Sequence, residues 1–130
     1  MESLNDYIYN NQNKAPYIKL SDSCYTFTTP DDTGTGTSYK SMIVFDLVIL
    51  TLTPLPVLIH DSCLLKQIQD TAIEKILELY VQSNKQIFIS IDKIQSPPPK
   101  SIDIINENKV LTLYPNGGEL FGRCWNKKQN

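Results

Sequence analysis

The chain has 130 residues, enough for one modest hydrophobic core and too few for several domains. Its 12 Lys and Arg residues against 14 Asp and Glu residues give a net charge of -2, which disfavours an autonomous nucleic-acid-binding module. The three cysteines have no CxxC spacing and are accompanied by a single histidine, so the pattern favours reduced thiols over a zinc site. The N-terminus lacks a signal-peptide pattern, and we expect a cytoplasmic protein.

The N-terminal third predicts a flexible segment, a hairpin and a loop. Residues 1–15 are polar and rich in Asn, which is typical of a flexible segment. The stretches Tyr17–Leu20 and Tyr25–Thr28 are rich in aromatic and β-branched residues and flank Ser-Asp-Ser, so we expect an N-terminal β-hairpin. Residues 30–38 combine small residues, carboxylates and glycines, which predicts a loop.

The apolar stretch 42–60 approaches the length of a bilayer span. Asp46 within it would cost about 2.5–3.5 kcal/mol near the bilayer centre, and Pro54 and Pro56 interrupt a helix. We therefore expect no membrane contact and divide the stretch into two buried elements. Residues 41–50 fit a strand or a helix, but their length and the preceding Ser and Thr favour a helix buried nearly all round. Residues 55–59 predict a parallel strand.

The middle of the chain alternates between helix and strand patterns. Apolar residues recur every three or four positions over 64–81, which predicts an amphipathic helix, and residues 86–91 predict a second buried strand. This order predicts an α/β fold with a mostly parallel sheet, two main helices and the N-terminal hairpin. Asp61 and Asp92 follow the two strands, so we expect both at the carboxyl edge of the sheet, where ligands bind.

The C-terminal third predicts a loop, a strand and a turn. The three prolines at 97–99 favour a stiff extended loop, residues 110–114 (VLTLY) a last strand, and Pro-Asn-Gly-Gly at 115–118 a turn.

The segment DTGTGTSYK, residues 32–40, has the glycines and hydroxyls that hold anions at helix starts. Its spacing fits neither a Walker A loop nor a Rossmann fingerprint. It predicts a helix N-terminus that can hold an anion through backbone N–H groups, hydroxyls and the helix dipole, with a plain flexible loop as the alternative.

The strand LPVLIH ends at Asp61, as a Walker B strand ends in a carboxylate that supports magnesium. Any buried parallel strand followed by Asp has the same form. His60 could serve as a base, but a hydrogen-bonded structural histidine is the favoured interpretation.

The strings DDTGTGTSYKSMIVFDL, LPVLIHDS and KQIFISIDK, followed by LFGRCWN, together resemble the uncharacterised C-terminal domain of bacterial SMC-like coiled-coil ATPases. The resemblance runs from about residue 6 to residue 125. It implies the C-terminal lobe of an ABC/SMC-type ATPase head over 16–126, followed by a tail over 127–130. It also implies ATP and Mg²⁺ as cofactors of a completed assembly.

The resemblance assigns roles to individual residues. Asp61 would be the Walker B carboxylate, catalytic and magnesium-binding, and Asp92 would stand in place of the switch histidine as a second catalytic residue. Residues 67–70 would lie where a D-loop contacts the opposing subunit. The residues in place of the signature motif, which would bind the γ-phosphate of nucleotide held by a partner, are Gly34, Thr35, Gly36, Thr37, Ser38 and Lys40.

Two departures from the family pattern bear on activity. Ser62 stands where the common pattern has a catalytic glutamate, and Asp92 replaces the switch histidine. Either Asp92 supplies the missing base, or hydrolysis is slow and nucleotide binding chiefly controls dimerisation. No Walker A sequence occurs, so we expect no hydrolysis by this chain alone.

The expected partner is a Walker A-bearing N-terminal half or a second ATPase chain. A homodimer is also compatible with the resemblance, and DNA would be contacted only indirectly. The main alternative is a stand-alone α/β interaction module without catalysis, which uses the Gly/Thr loop to bind a protein or an anion. A third hypothesis is a receiver-like or phosphatase-like domain that holds magnesium through Asp61 and Asp92.

Overall fold

A computed structural model describes residues 1–91 and 98–122. Within these ranges the chain is a mixed α/β structure with four α-helices, one short 3₁₀ helix and two small sheets. The elements in chain order are α1 (Glu2–Tyr9), β1 (Tyr17–Leu20), β2 (Tyr25–Thr28), α2 (Thr35–Leu52), β3 (Val57–His60), the 3₁₀ helix (Ser62–Leu64), α3 (Asp70–Gln82), β4 (Gln86–Ile89) and α4 (Pro99–Asn108).

The two sheets each contain two strands. β1 and β2 form the predicted antiparallel hairpin, with Leu20 opposite Tyr25. β3 and β4 form the predicted parallel pair, with His60 beside Ile89, and α3 connects them. The expectation of a mostly parallel sheet is only partly confirmed, since the described residues hold one antiparallel and one parallel pair.

The hydrophobic core lies between α2, α3 and the inner face of β3 and β4. Fully buried side chains come mainly from α2 and α3, and half-buried strand residues pack against them. The main core residues are Ile43, Val44 and Leu47 of α2, Ala72, Ile73, Ile76 and Leu77 of α3, and Leu58, Ile87 and Ile89 of the strands. α2 is not buried all round as predicted, because its neighbours cover one face and leave Met42 and Leu52 43% and 77% exposed.

Four sequence predictions of local structure are wrong. Residues 2–9 form α1 rather than a flexible segment, since Ile8 and Asn5 bury one side of it. The helix predicted over 64–81 begins only at Asp70. The stiff extended loop predicted at prolines 97–99 does not include Pro99, which is the first residue of α4, a position where proline's missing N–H costs nothing. Pro98 is extended, and Pro97 lies outside the described residues.

The fourth error is the strand predicted over 110–114, where only Tyr114 forms an isolated bridge, with Gly118. The predicted turn between them is present, with Asn116 and Gly117 at positive φ.

One histidine joins three elements. His60 ends β3 and is 3% exposed. Its Nδ1 lies 2.6 Å from the hydroxyl of Tyr80 on α3, and its Nε2 lies 3.1 Å from a carboxylate oxygen of Asp46 on α2. This geometry supports the structural interpretation of His60. It also explains why an apolar helix carries one carboxylate.

A second polar cluster holds the outer helices to α3. Glu78 is 9% exposed and accepts hydrogen bonds from the Tyr7 hydroxyl on α1 at 2.6 Å and from the Lys100 ammonium on α4. Lys75 donates a further hydrogen bond at 3.3 Å. The Lys100 and Tyr7 hydrogen bonds lower the pKa of Glu78 from 4.5 to about 2.

Among the residues that the structure describes, no helix combines the length and apolarity needed to cross a bilayer.

Replacing Tyr80 by Phe should lower the free energy of unfolding by about 1–3 kcal/mol. The substitution keeps the ring but leaves a buried nitrogen of His60 without its partner. Urea denaturation measures the change. Tyr17→Phe is the matched control: Tyr17 is 45% exposed, so the loss there should stay below about 0.5 kcal/mol. Equal effects of the two substitutions would contradict the role given to His60.

The Glu78 cluster should make the free energy of unfolding decrease at acidic pH. Because the folded-state pKa of Glu78 lies below its ordinary value, its contribution is complete above about pH 5 and is lost as the pH falls from 4.5 toward 2. Glu78→Gln should destabilise the protein by about 1–3 kcal/mol at pH 7 and flatten this decline, as measured by urea denaturation at several pH values.

Glu107→Gln removes the same charge from an exposed position on α4 and should keep the wild-type pH profile. An unchanged acid dependence in Glu78→Gln would show that the cluster does not cause it.

Candidate functional site

The glycine-rich segment forms the N-terminus of α2. Gly34 is the N-cap, and its N–H donates to the carboxylate of Asp32 at 3.0 Å. The Thr37 hydroxyl donates to the other oxygen of Asp32 at 2.7 Å, and the Ser38 hydroxyl donates to the Gly34 carbonyl at 3.2 Å. The hydrogen bonds from Thr37 and Gly34 hold the pKa of Asp32 below its usual range. A carboxylate of the chain itself therefore occupies donors that the sequence assigned to a phosphate.

Lys40 is not presented to solvent beside this loop. Its side chain is 1% exposed, its ammonium donates to the Lys14 carbonyl at 3.2 Å, and it lies 5.0 Å from the centre of the Tyr9 ring. Burial lowers the pKa of Lys40. The Lys14 ammonium in turn pairs with Asp31 at 2.6 Å, so residue 14 contacts both ends of the loop.

Gly36 packs closely against the segment before α3. A Cβ atom at Gly36 would lie 2.6 Å from the backbone carbonyl oxygen of Gln67, so only glycine fits here without a shift of the backbone. The predicted signature-like and D-loop-like segments are therefore neighbours. Residue types alone give no sign of this contact, although the glycine itself is visible in the sequence.

Asp61 lies just beyond β3, as predicted. Its side chain is exposed and accepts hydrogen bonds from the Ser90 hydroxyl at 2.6 Å and the Ser62 hydroxyl at 3.3 Å. The Ser90 hydrogen bond contributes most to lowering the pKa of Asp61. Ser90, which the sequence analysis did not single out, is the residue after β4 and continues the pairing of the strands, since its N–H donates to the His60 carbonyl at 3.0 Å.

The predicted site is therefore only partly assembled within residues 1–91 and 98–122. In those ranges no hydrogen bond joins Asp61 to the glycine loop, and no three His, Cys, Asp or Glu residues cluster as a metal site. Asp92 lies outside the described residues. Asp61 offers one ionised carboxylate, and the loop offers hydroxyls and N–H groups that Asp32 now shares.

A groove beside the loop was not predicted. It has a volume of about 750 Å³ and lies between the hairpin and the first half of α2. Apolar side chains form most of it, and the rings of Phe27 and Phe45 pack 5.3 Å apart within it. Asp32, Thr37 and Ser38 lie among its lining residues, so the groove opens onto the predicted anion-binding loop. We call it the hairpin groove; its apolar lining residues are Ile18, Leu20, Tyr25, Phe27, Met42 and Phe45.

Gly36→Ala should destabilise the protein by about 1–3 kcal/mol, as overpacking against a backbone atom does. The direction of this stability change is informative, because Ala in place of Gly within a helix otherwise stabilises a protein by about 0.5–1 kcal/mol. Thr35→Ala, an exposed change in the same turn, is the control and should be neutral or slightly stabilising in urea denaturation. A stabilised Gly36→Ala would contradict the close approach to Gln67.

Comparison with known proteins identifies a family without an established function. Neither the curated proteins nor the solved structures include a match to this chain. One family model, described as "Uncharacterised protein conserved in bacteria (DUF2326)", matches residues 3–124. Because the match covers nearly the whole sequence, the chain belongs to this family of uncharacterised bacterial proteins.

Proposed function

We propose that this chain is the C-terminal lobe of an SMC-like ATPase head. In this proposal it supplies a signature-like helix start, Gly34–Ser38, and a Walker B-like carboxylate, Asp61, to an ATP site. A Walker A-bearing partner, or an N-terminal half of the same machine, completes that site.

The observation that carries the proposal is a parallel strand pair with an uncovered face. Parallel sheets are normally covered on both sides, and here α2 and α3 cover only one. On the other face Val57, Ile59 and Phe88 are 38%, 73% and 49% exposed. Each strand also has an outer edge without a partner strand among the described residues. A lobe that adds strands and covers this face is the partner that the proposal requires.

The contact at Gly36 supports the proposal from the side of the loop. It places the loop and Gln67 on one surface, where both would meet the nucleotide-bearing partner. Thr37, Ser38 and the N–H groups of the first turn of α2 have the chemistry that binds an anion. A phosphate here would take over hydrogen bonds that Asp32 now accepts.

Asp61 fits the magnesium part of the proposal. Mg²⁺ keeps several waters and is commonly held by one or two carboxylates together with substrate phosphates, so a single exposed carboxylate is sufficient from this side. ATP would supply the transferable phosphoryl group and Mg²⁺ would neutralise its charge. The Ser90 hydroxyl positions the carboxylate of Asp61. The role of Asp92 as a base stays a prediction.

One observation favours the alternative, a stand-alone interaction module without catalysis. The Asp32 carboxylate already accepts hydrogen bonds from the Gly34 N–H and the Thr37 hydroxyl, and Lys40, the lysine of the predicted site, is buried. A loop in this state repels phosphate and would suit a protein ligand better. The two hypotheses therefore predict different effects on nucleotide binding when the charge of Asp32 is removed.

The proposal predicts that Mg²⁺-ATP binds only when a Walker A-bearing polypeptide encoded beside this chain is added. Calorimetry on the mixture should show binding that weakens about tenfold or more in Asp61→Asn and in Thr37→Val, because each removes a ligand group. Asp32→Asn should strengthen binding, because it removes a competing charge but keeps a side chain that can cap α2.

Two control variants match these changes. Asp103→Asn is an exposed change on α4 and should leave binding unchanged. Asp31→Asn removes the charge next to Asp32, which pairs with Lys14 rather than with the loop, and should also leave binding unchanged. ATP hydrolysis by the chain alone, or nucleotide binding by the mixture that ignores Asp61, Thr37 and Asp32 alike, would overturn the proposal. Partner binding without any nucleotide dependence would favour the interaction module.

A further inference from the structure

A short apolar segment after α4 has no cover within the described residues. We call residues 110–114 the arm. Val110, Leu111, Leu113 and Tyr114 of the arm are 90%, 62%, 53% and 63% exposed. Isolated exposed apolar residues are ordinary, but four in five consecutive positions form a patch of the kind found at interaction sites.

The arm has the sequence of a strand but has no partner strand among the described residues. Its residues are β-branched, aliphatic or aromatic, which favours a pleated and half-buried position. Across residues 1–91 and 98–122, no hydrogen bond involves the backbone of 110–113. Glu119 caps the following turn by accepting the N–H groups of Asn116 and Gly117 at 2.9 and 2.8 Å, so the arm ends at a defined point.

The hairpin groove is an equally incomplete surface. Its walls expose Leu20 by 75%, Tyr25 by 70%, Met42 by 43% and Ile18 by 38%. The hairpin is a two-stranded sheet, so each strand keeps one outer edge able to pair with a further strand. Two strands alone are marginal in water, and a third strand stabilises such a sheet.

We propose that the arm of one copy binds the hairpin groove of a second copy as an added β-strand, and that the exchange is reciprocal. The result is a symmetric dimer that forms without nucleotide. Successive strand residues point to opposite faces, so Leu111 and Leu113 would enter the groove together. The proposal does not rest on the ATPase proposal and involves a surface other than the open face of β3 and β4.

Charge and area both favour a second copy as the occupant. Asp32 lines the groove and Lys109 directly precedes the arm, so the groove offers a carboxylate to the cation that accompanies an inserted arm. Large apolar side chains bury roughly 60–120 Å² each. Two exchanged arms and two grooves therefore remove on the order of 1,000 Å² of apolar surface, which with a polar rim approaches the about 1,200–2,000 Å² of stable interfaces.

Sedimentation equilibrium of the full chain without nucleotide tests the proposal. The wild type should be a monomer–dimer system, and Leu111→Asp with Leu113→Asp should raise the dimer dissociation constant roughly 100-fold. Met42→Asp in the groove should raise it roughly tenfold or more. Val81→Asp is the matched control, since Val81 is 54% exposed on α3 outside both surfaces, and should change the constant less than about threefold.

Disulfide trapping identifies the contact directly. In a background with Cys24, Cys63 and Cys124 replaced by Ser, a chain with Leu113→Cys mixed with one carrying Met42→Cys should give cross-linked heterodimers in preference to either homodimer. A strictly monomeric wild type, a dimer equally stable in the arm and groove variants, or a Leu113→Cys/Met42→Cys chain that cross-links only within itself would overturn the proposal. Asp32, Thr37 and Ser38 line the groove and also belong to the proposed nucleotide site. Both measurements of the dimer are therefore made without nucleotide, so a failure of the dimer is distinguishable from a failure of the nucleotide test.

Discussion

The buried imidazole of His60 determines how the central elements of this protein meet. Each ring nitrogen has a partner on a different helix, Asp46 on α2 and Tyr80 on α3. An unpartnered polar group at such a position costs about 1–3 kcal/mol, so the three residues discriminate against other registers of β3 as well as stabilising this one. Because side chains alternate along a strand, an inward His60 places Asp61 outward, at the exposed edge where Ser90 meets it.

The distribution of apolar surface follows from a core that, in the part of the chain described, lies on one side of the parallel strands. α2 and α3 cover the inner face of the parallel strands, while the outer face, the hairpin and the arm remain exposed. Scattered exposed apolar residues are common in folded proteins. Here they are grouped on three surfaces. Two of these, the outer face of β3 and β4 and the hairpin, also carry strand edges that pair with no further strand among the described residues, a combination that natural sheets ordinarily cover or interrupt with charge. Contacts with other polypeptides are thus an expected part of this fold.

The limits of sequence prediction here have identifiable physical causes. β1 and β2 were located to the residue because strand propensity and turn residues agree, and β3 and β4 were located within two residues for the same reason. α2 was predicted as a helix from its length and the preceding Ser and Thr, but it begins six residues earlier than predicted, at Thr35. α1 was not predicted because its composition is polar. Its buried residues, Asn5 and Ile8, do not form an apolar pattern that the sequence alone could reveal. The arm shows the reverse error, since strand propensity cannot supply the partner that a strand requires.

The candidate site, too, could be predicted only in part from the sequence. The sequence singled out residues that carry hydroxyl, N–H and carboxylate groups, and it placed Asp61 correctly after β3. It could not show that Asp32 would turn back onto Gly34 and Thr37, because the alternative rotamers of an exposed carboxylate are equally compatible with the sequence. The burial of Lys40 could not be predicted from the sequence either. It depends on α1 and Lys14, which pack over Lys40 although they lie more than twenty positions earlier in the chain.

The position of the Asp32 carboxylate and the burial of Lys40 oppose phosphate binding by the loop to different extents. Asp32 is exposed, so its carboxylate can leave Gly34 and Thr37 by side-chain rotation into water. It cannot be neutralised by protonation near pH 7, because the same hydrogen bonds lower its pKa. Lys40 can reach the loop only if its ammonium leaves the Lys14 carbonyl and the Tyr9 ring, which disturbs the packing of α1. Positive charge for a bound phosphate must therefore come from outside this loop, from a partner or from a magnesium ion.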